Sequence, residues 1–135
     1  MEGEKKKILI VDDDSFLLDM YALKFSQNNF EVYTAPLAEQ AIKKLKEGLT
    51  PDVLLTDIIM PEMDGFEMLT EIIKENLCKN CIKVVLSNKS EQADIDEGNQ
   101  LGVAGYIVKA NSTPAEVISQ VKDILEKKAP KTITN

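Results

Sequence analysis

With 135 residues, 44% of them hydrophobic and 29% charged, the chain has the size and balance of one globular domain with a substantial core. Its net charge of -7 opposes nucleic-acid binding by these residues, and the complete absence of histidine excludes a phosphohistidine of its own. No apolar run approaches membrane-spanning length, and "MEGEKKK" leads only into "ILIV", so no signal peptide, no membrane contact and a cytoplasmic location are expected.

The first strand is expected over 7–11, "KILIV", and ends on "DDDS". A helix over 15–27 follows, with Leu17, Leu18, Tyr21, Ala22 and Phe25 on one face. "FEVYTA" over 30–35 reads as the second strand. The second helix carries Ala38, Ala41, Ile42 and Leu45 and stops at "EGLTPD", a glycine followed by a proline. The third strand, "DVLLT" over 52–56, runs into Asp57 and then "IIMPEMDG". Phe66, Leu69 and Ile73 mark the third helix.

Beyond it lies "CKNC". Cys78 and Cys81 lack the two further soft ligands that a zinc site needs, and they follow a helix instead of opening one, so two reduced loop thiols are expected. "IKVVLS" over 82–87 is the fourth strand. The fourth helix, about 91–101, has only Ala93, Ile95 and Leu101 as apolar residues and Gly98 inside it. An internal glycine costs roughly 1 kcal/mol against alanine, so this helix should be the softest. "GYIVK" over 105–109 is the fifth strand. The last helix starts behind "STP" and carries Val117, Ile118, Val121, Ile124 and Leu125. One domain is expected over 1–135, with its core about 6–127 and loose tails at 1–5 and 128–135.

Strand and helix alternate five times, and the strands are apolar throughout, which describes an α/β fold with a parallel sheet covered on both faces. Ligands of such sheets bind beyond the carboxyl ends of the strands. There the first strand delivers Asp12, Asp13 and Asp14, the third Asp57, the fourth Ser87 and the fifth Lys109. Converging carboxylates repel and must hold a proton or a cation. An all-oxygen set favours a hard ion, Mg²⁺ above all. Lys109 and Ser87 would suit phosphate oxygens, and Asp57, alone at its strand end, suits a nucleophile. Taken singly, each has a plainer role: helix capping for "DDDS", turn formation for Asp57, a strand end for Ser87, an ordinary surface position for Lys109.

With "ILIVDDD", "LLTDIIMPEMDG", "VVLS" and "GYIVK" in view, the chain resembles a response-regulator receiver domain, the family of the bacterial chemotaxis regulator, over about residues 6 to 127. The resemblance implies a doubly wound, flavodoxin-like sheet of order 2-1-3-4-5 with five helices. It implies that Asp57 takes a phosphoryl group from a phosphohistidine on a sensor histidine kinase or histidine phosphotransfer protein, as a signalling switch and not an enzyme. Asp13, Asp57 and the Ile59 backbone carbonyl would bind Mg²⁺, with Asp12 acting through water. Ser87 and Lys109 would grip the new phosphate. Tyr106 would be the switch aromatic, and the face of the fourth helix, fifth strand and fifth helix would meet a downstream effector, as monomer or phosphorylation-dependent dimer.

Three departures from the family pattern stand out. Ala110 follows Lys109 where many receivers have a cis-proline, and a cis bond without proline costs about 2.5–4 kcal/mol. Asn88 stands where a small residue is usual and should narrow access to the phosphate. Ile59 and Lys89 occupy the two positions that flank the attacking water, and the apolar one should slow dephosphorylation. The competing readings are a haloacid-dehalogenase-type enzyme using Asp12 and Asp14, a flavin-binding module, and a degenerate receiver that only binds partners.

Overall fold

The computed structural model describes residues 4–128. Its elements are β1 (Lys6–Val11), α1 (Ser15–Ser26), β2 (Phe30–Ala35), α2 (Ala38–Lys46), β3 (Val53–Thr56), α3 (Gly65–Lys74), β4 (Ile82–Ser87), α4 (Gln92–Gln100), β5 (Gly105–Val108) and α5 (Pro114–Lys128). All strand pairings are parallel, and the order is β2-β1-β3-β4-β5, the doubly wound arrangement expected. Most of the expected tails, 1–3 and 129–135, lie outside the described residues, and α5 runs one residue past the expected core limit.

Alternation along each strand divides the core into two faces. Ile8, Ile10, Val53, Leu55, Val84 and Leu86 pack under α1 and α5 with Leu18, Tyr21, Phe25, Val117 and Val121. Leu9, Val11 and Leu54 point the other way, under α2 and α3 with Ala41, Ile42, Leu45, Met68 and Leu69. A smaller cluster of Ile58, Phe66 and Val85 meets Leu101, Val103 and Tyr106 beside α4.

Helix ends follow their local chemistry. After α2, Gly48 takes φ +113°, the Leu49 N–H reaches the Lys44 carbonyl and the Gly48 N–H the Leu45 carbonyl, both at 3.1 Å, which ends the helix as "EGLTPD" implies. Thr113 and Glu116 form a reciprocal cap ahead of α5, with Pro114 in its first turn.

Two expectations are corrected. The inward face of α3 is Phe66, Met68, Leu69 and Ile72, while Ile73 is 45% exposed. Adjacent isoleucines suit two helical faces, and packing against the sheet and α2 selects Ile72. Cys78 and Cys81 form a disulfide where free thiols were expected. Cys78 takes φ +55° and accepts the Cys81 N–H at 3.2 Å, and this tight turn brings the two Cα atoms to 5.2 Å, within bonding reach.

Candidate functional site

The strand order reverses between β1 and β3, and the side chains at their carboxyl ends meet there. Val11 pairs with Thr56, so Asp12 and Asp57 emerge side by side, and the Asp57 N–H donates to the Val11 carbonyl at 2.9 Å. Both carboxylates are buried, whereas Asp13 is exposed. Ser87 pairs with Val108, which brings Lys109 to the same end of the sheet, in a short 3-10 turn (Lys109–Asn111) just beyond β5. An open pocket is lined by Asp12, Asp13, Asp14, Leu17, Asp57, Ile59, Asn88 and Lys109.

Lys109 Nζ bridges the buried acids, donating to Asp12 Oδ2 at 2.7 Å and Asp57 Oδ2 at 2.8 Å. The other Asp57 oxygen accepts the Ile58 N–H at 2.6 Å and, more weakly, the Ile59 N–H at 3.4 Å. Asp12 Oδ1 accepts the Asp14 N–H at 2.9 Å. Burial raises the Asp12 pKa above its ordinary value, and the bonds to Lys109 and Asp14 offset only part of that. For Lys109, burial pulls downward, but the hydrogen bonds and charges of Asp12 and Asp57 outweigh it and hold the ammonium above the ordinary lysine value.

One ammonium against the four carboxylates that line it leaves the pocket negative. Asp12, Asp13 and Asp57 each offer an oxygen, all within 4.8 Å of one another. Three hard donors with no thiol or imidazole beside them suit Mg²⁺ and disfavour a soft metal.

The three acids of "DDDS" divide their work. Asp12 turns into the pocket and Asp13 stands at its edge. Asp14 is the N-cap of α1, accepting the Leu17 N–H at 3.1 Å. Asp14 lines the pocket, but one of its carboxylate oxygens is engaged by the helix end.

Ser87 is fully buried and is not among the lining residues; its Oγ accepts the Lys89 N–H at 3.2 Å. Tyr106 is half-buried and its hydroxyl donates to the Lys89 carbonyl. Burial first, and then the charges of Asp94, Asp57 and Glu97, push its pKa up to about 12.

A family model for the response regulator receiver domain matches residues 8–122. The chain belongs to the response-regulator receiver family. Receivers of this family belong to two-component systems, where they take a phosphoryl group on an aspartate and act as signalling switches. Among curated relatives, the alkaline phosphatase synthesis transcriptional regulatory protein PhoP of Bacillus subtilis is 33% identical over 122 residues, 90% of this chain and 49% of that protein. The probable transcriptional regulator ycf27 of Porphyra purpurea is 30% identical over 135 residues, 100% of this chain and 53% of its own. The chain spans about half the length of these relatives. Among solved structures, a CheY-like receiver domain protein from Methanospirillum hungatei JF-1 superposes with a TM-score of 0.83 at 27% identity, over 92% of this chain and 96% of that one. Chemotaxis protein CheY4 of Vibrio cholerae gives 0.82 at 25% identity, over 90% and 99%.

Within this receiver, several residues that shape the site escaped the sequence. Gly65 opens α3 directly behind the Asp57 loop: a β-carbon there would stand 2.3 Å from the Asp57 carbonyl oxygen. The Gly65 N–H also donates to the Ile58 carbonyl at 2.8 Å, and Thr56 Oγ1 donates to the Asp57 carbonyl at 2.7 Å. "DG" after a strand was the available signal, but it reads as a turn.

Lys89 does not line the pocket of the receiver. Its ammonium pairs with Asp94 at 3.1 Å, on the α4 side. Ile59 does line it, with 62% of its surface exposed. Peptide bonds among the described residues are all trans, the Lys109–Ala110 bond included.

Proposed function

We propose that the chain is a single phosphoacceptor receiver domain, 1–135 with its core at about 6–127, in which Asp57 accepts a phosphoryl group from a phosphohistidine of a sensor histidine kinase or histidine phosphotransfer protein. The observation that carries this reading is the Asp57 carboxylate, held by Lys109 at 2.8 Å and grouped with the oxygens of Asp12 and Asp13. Asp12, Asp13, Asp57 and the Ile59 backbone carbonyl would hold Mg²⁺. When bound, the ion supplies positive charge against the oxygens of the transferring phosphoryl group.

The chain's own residues do the remaining work. An Asp57 carboxylate oxygen attacks phosphorus, the P–N bond to the donor imidazole breaks, and the imidazole nitrogen leaves with the bonding pair. Phosphoryl transfer depends on positioning and charge neutralisation, and Lys109 provides both without a proton transfer. The donor must approach over the pocket rim. There α1 offers Phe16, 75% exposed, one turn from Met20 and two from Leu23, 57% exposed, as an apolar face for a partner helix.

The new phosphate brings about -1.5 to -2 charge and three acceptor oxygens. Ser87 Oγ is drawn to it and gives up the Lys89 N–H. Lys89 also accepts from Tyr106 and pairs with Asp94, so this loop carries the change to α4, whose buried residues are only Asp94 and Gly98. The face of α4, β5 and α5 is the output surface for a downstream effector, with the chain a monomer or a phosphorylation-dependent dimer. With an acidic surface, these residues do not bind nucleic acid themselves.

Incubation with acetyl phosphate, with and without Mg²⁺, followed by intact mass measurement beside Asp57→Asn, tests the reading. One phosphate taken up only with the metal and only by Asp57 is the expected result. Uptake by Asp57→Asn, or none by the wild type, overturns it.

A further inference from the structure

One hydrogen bond at the pocket rim joins the ends of two strands. The Ala110 N–H donates to Asn88 Oδ1 at 2.8 Å, between residues 22 apart in sequence. At the other side of the same peptide unit, the Lys109 carbonyl accepts the Ser112 N–H at 3.3 Å. Both polar atoms of the Lys109–Ala110 peptide are therefore held. Asn88 directly follows Ser87, lines the pocket together with Lys109, and so ties the end of β4 to the end of β5.

This matters for Lys109 because its ammonium sits at the tip of a flexible four-carbon stem. A small rotation at the root of that stem moves Nζ off the two carboxylates it touches. Neither half of the bond works without the other. A proline at 110 has no N–H to donate, and a small apolar side chain at 88 has no acceptor. Positions 88 and 110 are also two of the places where the chain departs from the pattern of its family, and in this fold the two departures are bonded to each other.

We propose that Asn88 and the Ala110 amide form a positioning clamp that aims Lys109 at the phosphoryl group on Asp57, using a trans backbone. The proposal rests on Asp57 as the phosphoacceptor. Asn88 acts only through Lys109 and the loop that carries it. The β4 loop thus sets the place of the lysine, and the backbone that carries Lys109 stays tied to the end of β4 while the Ser87 hydroxyl and the α4 side of the loop move.

Asn88→Leu keeps the bulk of the side chain and removes the acceptor, and its exposed position leaves folding intact. The first measurement is hydrogen exchange of the Ala110 amide in the unphosphorylated full chain. Exchange about tenfold faster in Asn88→Leu is expected from the loss of one hydrogen bond, and an unchanged rate overturns the clamp. The second is affinity for beryllofluoride with Mg²⁺, a stand-in for the phosphoryl group. Asn88→Leu should weaken it about tenfold, by the same single bond, when Lys109 is present and leave it nearly unchanged in a Lys109→Ala background. Equal losses in both backgrounds overturn the proposal. If the wild type itself takes up no beryllofluoride, Asp57 as phosphoacceptor is what fails, and the exchange rates still decide the clamp.

Discussion

Gly98 of α4 lies so close to the ring of Tyr106 that a β-carbon there would stand 3.2 Å from Cδ2 and 3.3 Å from a methyl of Val103. The glycine inside this helix is thus a seat for the Tyr106 ring, and helix propensity is given up to make it. Gly98→Ala should change stability by less than about 1 kcal/mol, because the propensity gained offsets the slight displacement it asks of two side chains, the half-buried Tyr106 ring and the Val103 methyl. Gly65→Ala should cost about 3 kcal/mol, since its β-carbon meets the Asp57 and Ile58 backbone, which cannot yield. Urea denaturation of the two variants checks the contrast, and equal effects would contradict it.

Removing the ammonium between Asp12 and Asp57 leaves two buried carboxylates facing each other with only backbone N–H partners and no cation. Lys109→Met should therefore destabilise by about 3 kcal/mol at neutral pH. Asp12→Asn should do the opposite. The Asp12 pKa is raised above its ordinary 3.8, so its ionisation costs stability in full above the folded pKa and not at all below 3.8. The gain from Asp12→Asn should shrink as pH falls toward 4. The Lys109 pKa is raised, so its contribution is full below the ordinary 10.5 and is lost as pH climbs through the folded value. Denaturant midpoints across pH measure each trend.

Tyr106 should be the last tyrosine to ionise. In the unfolded chain it loses its proton near 10, and in the fold it keeps it until about 12. The folded state therefore holds the extra proton, and stability should fall as pH rises between those values. An ultraviolet titration of the phenols, beside Tyr106→Phe, should lose its highest step in the variant. A variant that keeps a step near 12 would show that another phenol carries it.

Phosphate on Asp57 should be lost slowly. Ile59 at the rim offers no polar atom from its side chain, and the Lys89 ammonium is held by Asp94 away from the pocket. Ile59→Asn, which can orient a water, should shorten the lifetime by about tenfold. Decay of the phosphorylated protein followed by intact mass gives the rate, and an unchanged lifetime would exclude the role of this position.

Sequence by itself determined the elements and the chemistry at the strand ends. Strand alternation, helical spacing, the stop at Gly48 and the start at Pro114 are local properties, and a parallel sheet sends Asp12, Asp57, Ser87 and Lys109 to one end once the strands are named. Only the tertiary structure decided which of three adjacent aspartates caps a helix, whether Ile72 or Ile73 turns inward, and that Cys78 and Cys81 are joined. It also decided that Lys89 faces α4, that Gly65 and Gly98 are places of close approach, and that Asn88 meets Ala110. Those outcomes depend on distances between segments that are remote along the chain. Local pattern encodes what each segment buries, but the contact between two segments exists only once both have been packed on the same sheet.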